Sequence, residues 1–308
     1  MEILMNFTTS PDDLTRYRDS EDLHTFFRNL GCSGLELMPI GTDTRNLIQP
    51  AMITGIHANC FSDWMDTDPE YLVRHYQKDL EYARQVHAKY VVFHVTQVSY
   101  SEALTCRPVH TDQEVVQAAA RLINALLEHQ DYDFWFLMEN LWWPGLNFQD
   151  PEITKYLLDE VRYEKKGFML DTGHFMNTNP ELRTSGDAVA CLHSMLDRHK
   201  DILPFIKGLH LNQSLSGSYM KAYMKSPSLP PEDPDLLFCQ AFEHIFRIDQ
   251  HLPFTDPGVS GLLKRICPKY VTLEYITKNR QEHEEYLREG LKWVLPRNKR
   301  PESKYTFR

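Results

Sequence analysis

Eight short apolar runs recur along the chain, and this recurrence constrains the fold more than any other feature of the sequence. The runs lie at residues 3–7, 34–38, 53–57, 90–94, 134–138, 167–171, 206–211 and 270–274. Most of them are nearly continuous in Val, Ile, Leu, Phe and Met rather than alternating with polar residues. Continuous apolar runs are typical of strands that are buried on both faces, as in parallel sheets.

Amphipathic helical patterns fill most of the gaps between these runs. The segment 20–30 repeats apolar residues at helical spacing, begins at Asp19 or Ser20 as a cap, and stops before Gly31. Further helices are predicted at 68–88, 113–127, 184–196, 235–247 and 282–294. Eight strands that alternate with helices predict an α/β fold, the (β/α)8 TIM barrel. The competing doubly wound sheet usually has a glycine-rich turn after its first strand, and residues 5–10 contain no glycine.

The chain of 308 residues is predicted to contain a single barrel domain, residues 1–294, with one long insertion. Between the seventh and eighth predicted strands, residues 212–257 include a proline-rich stretch at 226–234 that cannot remain regular structure for long. Long loops in compact domains are usually functional, so we expect this insertion to lie over the barrel mouth. Residues 295–308 carry five basic residues and one acidic residue and are predicted to form a basic C-terminal tail.

The composition excludes several classes of protein. With 42% hydrophobic residues the chain cannot be disordered as a whole, and its formal charge of −10 disfavours nucleic acid as a partner. The longest aliphatic or aromatic run in the middle of the chain has five residues, whereas a membrane-spanning helix needs about 20. No targeting segment is visible, and the six cysteines lack C-x-x-C spacing. We therefore expect a cytoplasmic protein with reduced thiols and no membrane partner, and leave its oligomeric state open.

Side chains of the metal-ligand type follow the predicted strands. The active sites of (β/α)8 barrels lie at the carboxyl ends of the strands, so these side chains would converge on one axis. They are His57, His94, Glu139, Asp171, His174, His210 and Glu274, together with Asp249 and His251 in the insertion. One such histidine is more often a hydrogen-bonded structural residue, but helix capping does not explain six consecutive strands that end in His, Asp or Glu. The mixture of imidazoles and carboxylates indicates Zn²⁺, Mn²⁺, Fe²⁺ or Co²⁺ rather than an all-oxygen cation site.

The same segments resemble a known family, the xylose-isomerase-like TIM barrels, also called apurinic/apyrimidinic endonuclease family 2. The matching segments are GLELM (34–38), GIHANCF (55–61), VVFHV (91–95), LMENLWWPG (137–145), FMLDTGH (168–174), GLHLNQS (208–214), DQH (249–251) and TLEY (272–275). They cover most of the chain in order, and LDTGH and ENL are the most specific of them. The resemblance implies a barrel enzyme that depends on divalent metal ions.

One branch of this family suggests isomerase chemistry. Sugar and sugar-phosphate isomerases and epimerases of the family hold one ion at positions that match Glu139, Asp171, His210 and Glu274. By this resemblance Glu139 and Glu274 would also be the catalytic residues, because the two glutamates move protons between neighbouring sugar carbons.

The endonuclease IV branch suggests a multinuclear hydrolase with three zinc ions and all nine ligands. By this resemblance Glu139 would bridge two of the ions. The first ion would be held by His57 and His94, the second by Asp171, His210 and Glu274, and the third by His174, Asp249 and His251. Such a centre activates water and stabilises the oxygens of a phosphoester displacement, so one to three ions per chain are expected.

Several positions depart from the endonuclease pattern. Residues 58–60 read Ala-Asn-Cys in place of a Pro-Tyr type segment that enters DNA, and Gly173 replaces a cysteine, as in many sugar-directed members. Trp142 and Trp143 follow the fifth strand where the endonucleases have small residues. These departures and the acidic charge favour a small sugar or phosphorylated substrate. The sequence thus favours an isomerase or epimerase, with the multinuclear hydrolase as the alternative and a non-catalytic metal-binding barrel as a third hypothesis.

Four residues near the strand ends are candidate substrate contacts. The rings of Trp142 and Trp143 would either stack on a sugar face or pack beneath the long insertion, with equal weight. Asn212 follows the seventh strand, close to His210. Glu36, at the end of the second strand, is either a substrate contact or a structural residue.

Overall fold

The computed structural model describes residues 1–295, and these form a closed barrel of eight parallel strands. The strands are β1 (Glu2–Thr8), β2 (Gly34–Met38), β3 (Ile53–His57), β4 (Tyr90–His94), β5 (Trp135–Glu139), β6 (Lys166–Asp171), β7 (Ile206–His210) and β8 (Tyr270–Leu273). Each strand pairs in parallel with the next, and β8 pairs with β1 to close the sheet. The predicted (β/α)8 TIM barrel is confirmed, and every predicted apolar run overlaps one strand.

Helices occupy the connections between the strands. They are α1 (Pro11–Leu14), α2 (Ser20–Leu30), α3 (Pro69–Gln85), α4 (Tyr100–Thr105), α5 (Asp112–Leu127), α6 (Pro151–Glu160), α7 (Thr172–Asn177), α8 (Ser185–Arg198), α9 (Gly217–Tyr223), α10 (Pro234–Ile248), α11 (Val259–Ile266) and α12 (Arg280–Val294). Helix α2 has the predicted ends, because Asp19 accepts a hydrogen bond from the Asp22 N–H at 2.8 Å and Gly31 has a φ of 95°. Helix α3 ends earlier than the predicted segment 68–88, since His87 adopts a left-handed φ of 55°.

Strand register brings ligand-type residues side by side. His94 of β4 pairs with Glu139 of β5. Asp171 of β6 pairs with His210 of β7, and His210 in turn lies opposite Thr272 of β8. Because parallel strands finish at the same edge of the barrel, the side chains at these positions lie at one level.

The barrel interior is a separate apolar layer beneath this level. It is formed by Leu4, Tyr90, Val92, Leu137, Met169 and Tyr270. Side chains alternate along a strand, so the residues two positions further along also point inward. At this spacing Leu137 is followed by Glu139. Met169 is likewise followed by Asp171. The apolar interior therefore forms the floor on which the polar layer rests.

The connection between β7 and β8 contains the helices α9, α10 and α11. An antiparallel bridge fixes its later part against the segment that follows β7, since Gln213 and Leu252 exchange two backbone hydrogen bonds of 2.7 and 3.0 Å. This bridge holds Asp249 and His251 beside the strand ends.

Two further sequence expectations concern the chain as a whole. Within residues 1–295, no helix combines the length and the apolar character that a membrane span requires. All six cysteines are free thiols. The predicted basic tail, 295–308, lies outside the described residues except for its first residue.

Candidate metal centre

The carboxyl ends of the strands bring nine side chains of the metal-ligand type together in three groups. In each group, one candidate ligand atom per residue lies within 4.8 Å of the others. The first group is His57, His94 and Glu139, the second is Glu139, Asp171, His210 and Glu274, and the third is His174, Asp249 and His251. His57, His210 and Glu274 also meet this limit, so the first and second groups adjoin. All nine sequence-predicted ligands are thus brought to one rim of the barrel.

Glu139 is shared by the first two groups. Its Oε2 lies 3.1 Å from Nε2 of His57 and 3.0 Å from Nε2 of His94. Its Oε1 faces the other way and lies 3.0 Å from Nδ1 of His210 and 3.3 Å from Nδ1 of His174. One carboxylate oxygen therefore belongs to each side, as in a bridging ligand.

Helix ends supply the third group. Asp171 caps α7 by accepting a hydrogen bond from the His174 N–H at 2.6 Å, which fixes His174 in the first turn. Asp249 directly follows α10, and His251 has a left-handed φ of 46°, a conformation that non-glycine residues rarely adopt. In this arrangement Oδ2 of Asp249 lies 2.6 Å from Nε2 of His251 and 3.1 Å from Nε2 of His174.

Backbone carbonyl groups orient three of the histidine rings. Nδ1 lies within hydrogen-bond distance of a carbonyl oxygen in His57 (Ala58, 2.9 Å), His174 (Asn140, 2.8 Å) and His251 (Glu274, 3.2 Å). A proton on Nδ1 that is donated to a carbonyl leaves the Nε2 lone pair free for a metal ion. His210 is oriented the other way, because its Nδ1 lies 3.0 Å from carboxylate oxygens of both Glu139 and Glu274.

The buried carboxylates depend on neighbouring imidazoles for their charge balance. Burial by itself would raise the pKa of Glu139, but the charges of His210 and His94 outweigh it and hold this pKa well below its usual value. Burial likewise lowers the pKa of His94, yet the charge of Glu139 prevails and raises it to about 10. In the metal-free protein, protons on the imidazoles therefore compensate the buried carboxylates.

Two asparagines hold Asp171 in place. Nδ2 of Asn212 donates a hydrogen bond of 2.7 Å to Oδ2 of Asp171. Asn140 exchanges two hydrogen bonds with the backbone of Asp171. Burial raises the pKa of Asp171 to about 7, and the charge of Glu274 adds to this effect against the lowering by His174. Sequence reasoning missed Asn140, whose only signal was its position directly after Glu139.

Several candidate ligand atoms are buried without a hydrogen-bond partner among residues 1–295. They include both ring nitrogens of His94 and Oε2 of Glu274. Oε2 of Glu274 lies 3.0 Å from Nδ1 of His210, but the two groups are not aligned as a hydrogen bond. Buried polar atoms that face one another in this way are stabilised when they share a cation. The mixed imidazole and carboxylate donors therefore fit the divalent ions Zn²⁺, Mn²⁺, Fe²⁺ or Co²⁺.

A cavity of about 460 Å³ adjoins the candidate ligands. Glu36 contributes to its floor, beside ligands of all three groups. Asn6, Arg16 and Thr277 line the wall formed by the ends of β1 and β8. Arg16 is fixed there by a 3.0 Å hydrogen bond to the Thr277 hydroxyl and a 3.1 Å ion pair with Asp13.

Apolar side chains form the rim of the same cavity. Ile40 and Phe246 are each 51% exposed, and Ile276 is 46% exposed. Large apolar groups at this exposure in the mouth of a cavity are available to contact a ligand. Sequence reasoning did not identify these three residues: Ile40 and Ile276 follow strands with no distinguishing pattern, and Phe246 reads as an ordinary apolar residue of α10.

The tryptophan pair lies against the third group. The ring of Trp142 is 4.2 Å from that of Trp143 and 5.3 Å from the imidazole of His174, measured between ring centres. The indole N–H of Trp142 is buried without a hydrogen-bond partner among the described residues. Its ring therefore packs on a candidate ligand, whatever its role towards a substrate.

Comparisons with known proteins agree with this fold. The family model described as xylose isomerase-like TIM barrel matches residues 5–297. No curated protein matches the chain. Many solved structures are similar to the chain, and three that match almost its whole length are described below.

The first is that of the probable 3-DHS dehydratase AsbF from Bacillus anthracis, with 17% identity, a TM-score of 0.56, and coverage of 97% of this chain and 100% of that one. Endonuclease IV from Thermus thermophilus has 14% identity, a TM-score of 0.56, and coverage of 96% and 99%. The IolI protein, solved with a zinc atom, has 12% identity, a TM-score of 0.54, and coverage of 96% of both chains. At these identities the likeness shows a shared fold.

Proposed function

The chain belongs to the xylose isomerase-like TIM barrel family, and from this premise we propose that it hydrolyses a phosphoester bond of a small substrate at a centre of three divalent metal ions. Sequence alone slightly favoured an isomerase or epimerase with one ion. The three adjoining ligand groups at the strand ends support the multinuclear alternative.

The third ligand group is the observation that carries this proposal. An isomerase with one ion needs only the second group, and in that case His174, Asp249 and His251 would not serve as metal ligands. Their candidate ligand atoms nevertheless converge within 4.8 Å, and His251 adopts a rare backbone conformation in doing so. This convergence of three candidate ligands is the reason to expect a third ion.

The chain's own residues would hold the centre rigid and dry. When bound, the ions would polarise the ester oxygens and lower the pKa of a water molecule. Glu139 would hold the first and second sites at a fixed separation, because its two oxygens face opposite groups. Asn140 and Asn212 would keep the carboxylate of Asp171 in one orientation. A site whose ligands are fixed in this way needs little rearrangement during the reaction.

The cavity supports a small substrate. Its volume of about 460 Å³ lies within the range of small-molecule sites, about 300–1,000 Å³. Arg16 and Asn6 could donate hydrogen bonds to polar groups of the substrate, and the rim of Ile40, Phe246 and Ile276 could contact its apolar part. The net charge of −10 disfavours a nucleic acid.

Isomerisation or epimerisation is the second candidate, and one observation favours it. Glu139 and Glu274 both approach Nδ1 of His210, each at 3.0 Å. Two carboxylates beside one ion could pass a proton between neighbouring carbons of a sugar. This chemistry would require the second group alone.

Metal content and two activity assays separate these candidates. Purified protein should contain three ions per chain, and it should hydrolyse aryl phosphate mono- or diesters without exchanging solvent deuterium into ketoses. His251→Ala should remove one ion and abolish hydrolysis. His244→Gln provides the matched control, because His244 is also buried in the same insertion but bonds to the Tyr219 hydroxyl instead.

The opposite results are equally specific. A single ion per chain, with epimerase activity that survives His251→Ala, would establish the second candidate. Ions without turnover on either set of substrates would indicate a non-catalytic metal-binding barrel.

A further inference from the structure

Glu36 lies beneath the metal centre and makes three close contacts there. Its side chain is only 2% exposed although it is a carboxylate. Oε2 accepts hydrogen bonds from the Tyr90 hydroxyl at 2.6 Å and from the Thr272 hydroxyl at 2.8 Å. Oε1 lies 2.9 Å from Nε2 of His210. Since β2, β4, β7 and β8 all contribute to this cluster, it spans the barrel interior.

The orientation of the His210 ring relates this cluster to metal binding. Nδ1 of His210 faces the carboxylates of Glu139 and Glu274, so Nδ1 is the atom available to an ion in the second group. Within the described part of the chain, Nε2 has no aligned hydrogen-bond partner, and the carboxylate of Glu36 is an acceptor that lies within reach. An imidazole that binds a metal through one nitrogen commonly donates the proton of the other to a carboxylate, which fixes the tautomer.

We propose that Glu36 is a positioning residue that keeps the proton of His210 on Nε2, so that Nδ1 is free to bind the second ion. The inference rests on the metal centre of the proposed function. It assigns Glu36 a part in metal binding and not in substrate binding. The hydroxyl groups of Tyr90 and Thr272 hold Oε2 and thereby direct Oε1 towards His210.

The sequence makes room for this support at Gly55. A Cβ atom at this position would overlap the ring of Tyr90. The absence of a side chain on β3 lets the Tyr90 ring lie across the barrel interior with its hydroxyl below Glu36. The tyrosine, the glutamate and the histidine therefore form one connected column under the second group.

Site-resolved metal binding tests the proposal. Metal-free protein is titrated with Co²⁺, followed by its absorption spectrum and by metal analysis, and His210→Ala identifies the signal of the second ion. Glu36→Gln should weaken the affinity for the second ion by about 10–100-fold and leave the affinities for the other two ions unchanged. Tyr90→Phe should weaken the affinity for the same ion to a smaller degree, because Glu36 loses one of its two hydroxyl donors.

Tyr17→Phe is the matched control for the tyrosine variant. Tyr17 is equally buried, but its hydroxyl has no hydrogen-bond partner in the part of the chain that the structure describes, so its loss should leave all three affinities unchanged. Thermal melting of the metal-free variants checks that each one folds. If Glu36→Gln does not fold, the Tyr90→Phe titration alone decides the matter.

Three results would overturn the proposal. Wild-type affinity for every ion in Glu36→Gln, together with a raised KM, would make Glu36 a substrate contact. Equal weakening of all three ions would indicate a general structural role. If Glu36→Gln does not fold, an unchanged affinity for the second ion in Tyr90→Phe would also refute the proposal. A wild-type protein that binds no ion is a separate result, which removes the proposed function itself.

Discussion

Asn140 and Asp171 exchange two hydrogen bonds between the ends of β5 and β6. Nδ2 of Asn140 donates to the Asp171 carbonyl oxygen at 3.0 Å, and the Asp171 N–H donates to Oδ1 of Asn140 at 2.9 Å. Asn140 is fully buried. This pairing fixes the backbone from which the Asp171 carboxylate reaches the second ligand group.

Replacement of Asn140 by alanine should reduce both stability and metal affinity. The change leaves the buried N–H of Asp171 unpaired and removes one donor from its carbonyl oxygen, and an unpaired buried group typically costs about 1–3 kcal/mol in unfolding free energy. Chemical denaturation and metal titration of Asn140→Ala measure the two effects.

Asn124 provides a matched control for this variant. It makes the same pair of bonds, to the Glu160 carbonyl oxygen at 2.9 Å and from the Arg162 N–H at 2.8 Å, but near the surface and away from the ligands. Asn124→Ala should leave metal affinity unchanged, because these bonds lie away from the ligands. Its stability should fall less than that of Asn140→Ala, because water can replace the lost bonds near the surface. Equal loss of affinity in both variants would show that the effect of Asn140 is not local.

Metal binding should weaken as the pH falls. In the metal-free protein, burial lowers the pKa of His251 but the charge of Asp249 outweighs it and raises this pKa to about 9. The pKa of His94 is raised to about 10 by Glu139 against the same effect of burial. Both imidazoles therefore carry protons at neutral pH, and an ion must displace them.

Calorimetry in two buffers of different ionisation enthalpy measures this proton release. The apparent affinity should fall with each step in pH from 9 to 6, and His94→Gln should release fewer protons than the wild type. Identical binding enthalpies in the two buffers at pH 7 would contradict the raised pKa values.

The positions of the candidate ligands could be predicted from the sequence, because the ends of the strands can be recognised there. Residues such as Glu139 and Asp171 directly end an apolar run, and all strands of a parallel barrel end at one rim. The Asp249-x-His251 pair needed the family resemblance to be joined with His174, since no periodicity places an insertion against a helix terminus.

The support beneath the ligands could not be predicted in this way. Tyr90 and Thr272 read as ordinary members of apolar strands, and Glu36 could be either a substrate contact or a structural residue. Their contact depends on strand register and on which side chains cross the barrel interior. The cavity wall around Arg16 was invisible for a similar reason, because it is formed by connections that have no regular pattern.

Gly55 should be intolerant of even one methyl group. The added Cβ of Gly55→Ala would overlap the Tyr90 ring in a packed interior, and such overpacking typically costs about 1–3 kcal/mol. Displacement of Tyr90 should also weaken the affinity for the second ion, because Glu36 would lose the hydrogen bond from the Tyr90 hydroxyl. Thermal or chemical unfolding and the Co²⁺ titration measure both effects.

Gly261 is the matched control for this substitution. It lies in α11 with its nearest neighbouring atom, Nε2 of His193, at 3.7 Å from an added Cβ. Because alanine is preferred to glycine in helices by up to about 1 kcal/mol, Gly261→Ala should leave stability unchanged or raise it. Wild-type stability in Gly55→Ala would show that the interior adapts more readily than the contacts indicate.

Removal of Glu139 should distinguish shared from independent metal sites. Glu139 belongs to the first and second groups but not to the third. Glu139→Ala should therefore lose two ions of three and all activity, while His174, Asp249 and His251 retain one. Ions that bind only the folded state raise its stability, so chelation should lower the Tm of the variant less than that of the wild type. The control is Glu81→Ala, which removes a surface carboxylate paired with Arg84 and should keep all three ions. If Glu139→Ala also kept three ions, Glu139 would not be a shared ligand. If it lost all three, the third site would not be independent of the other two.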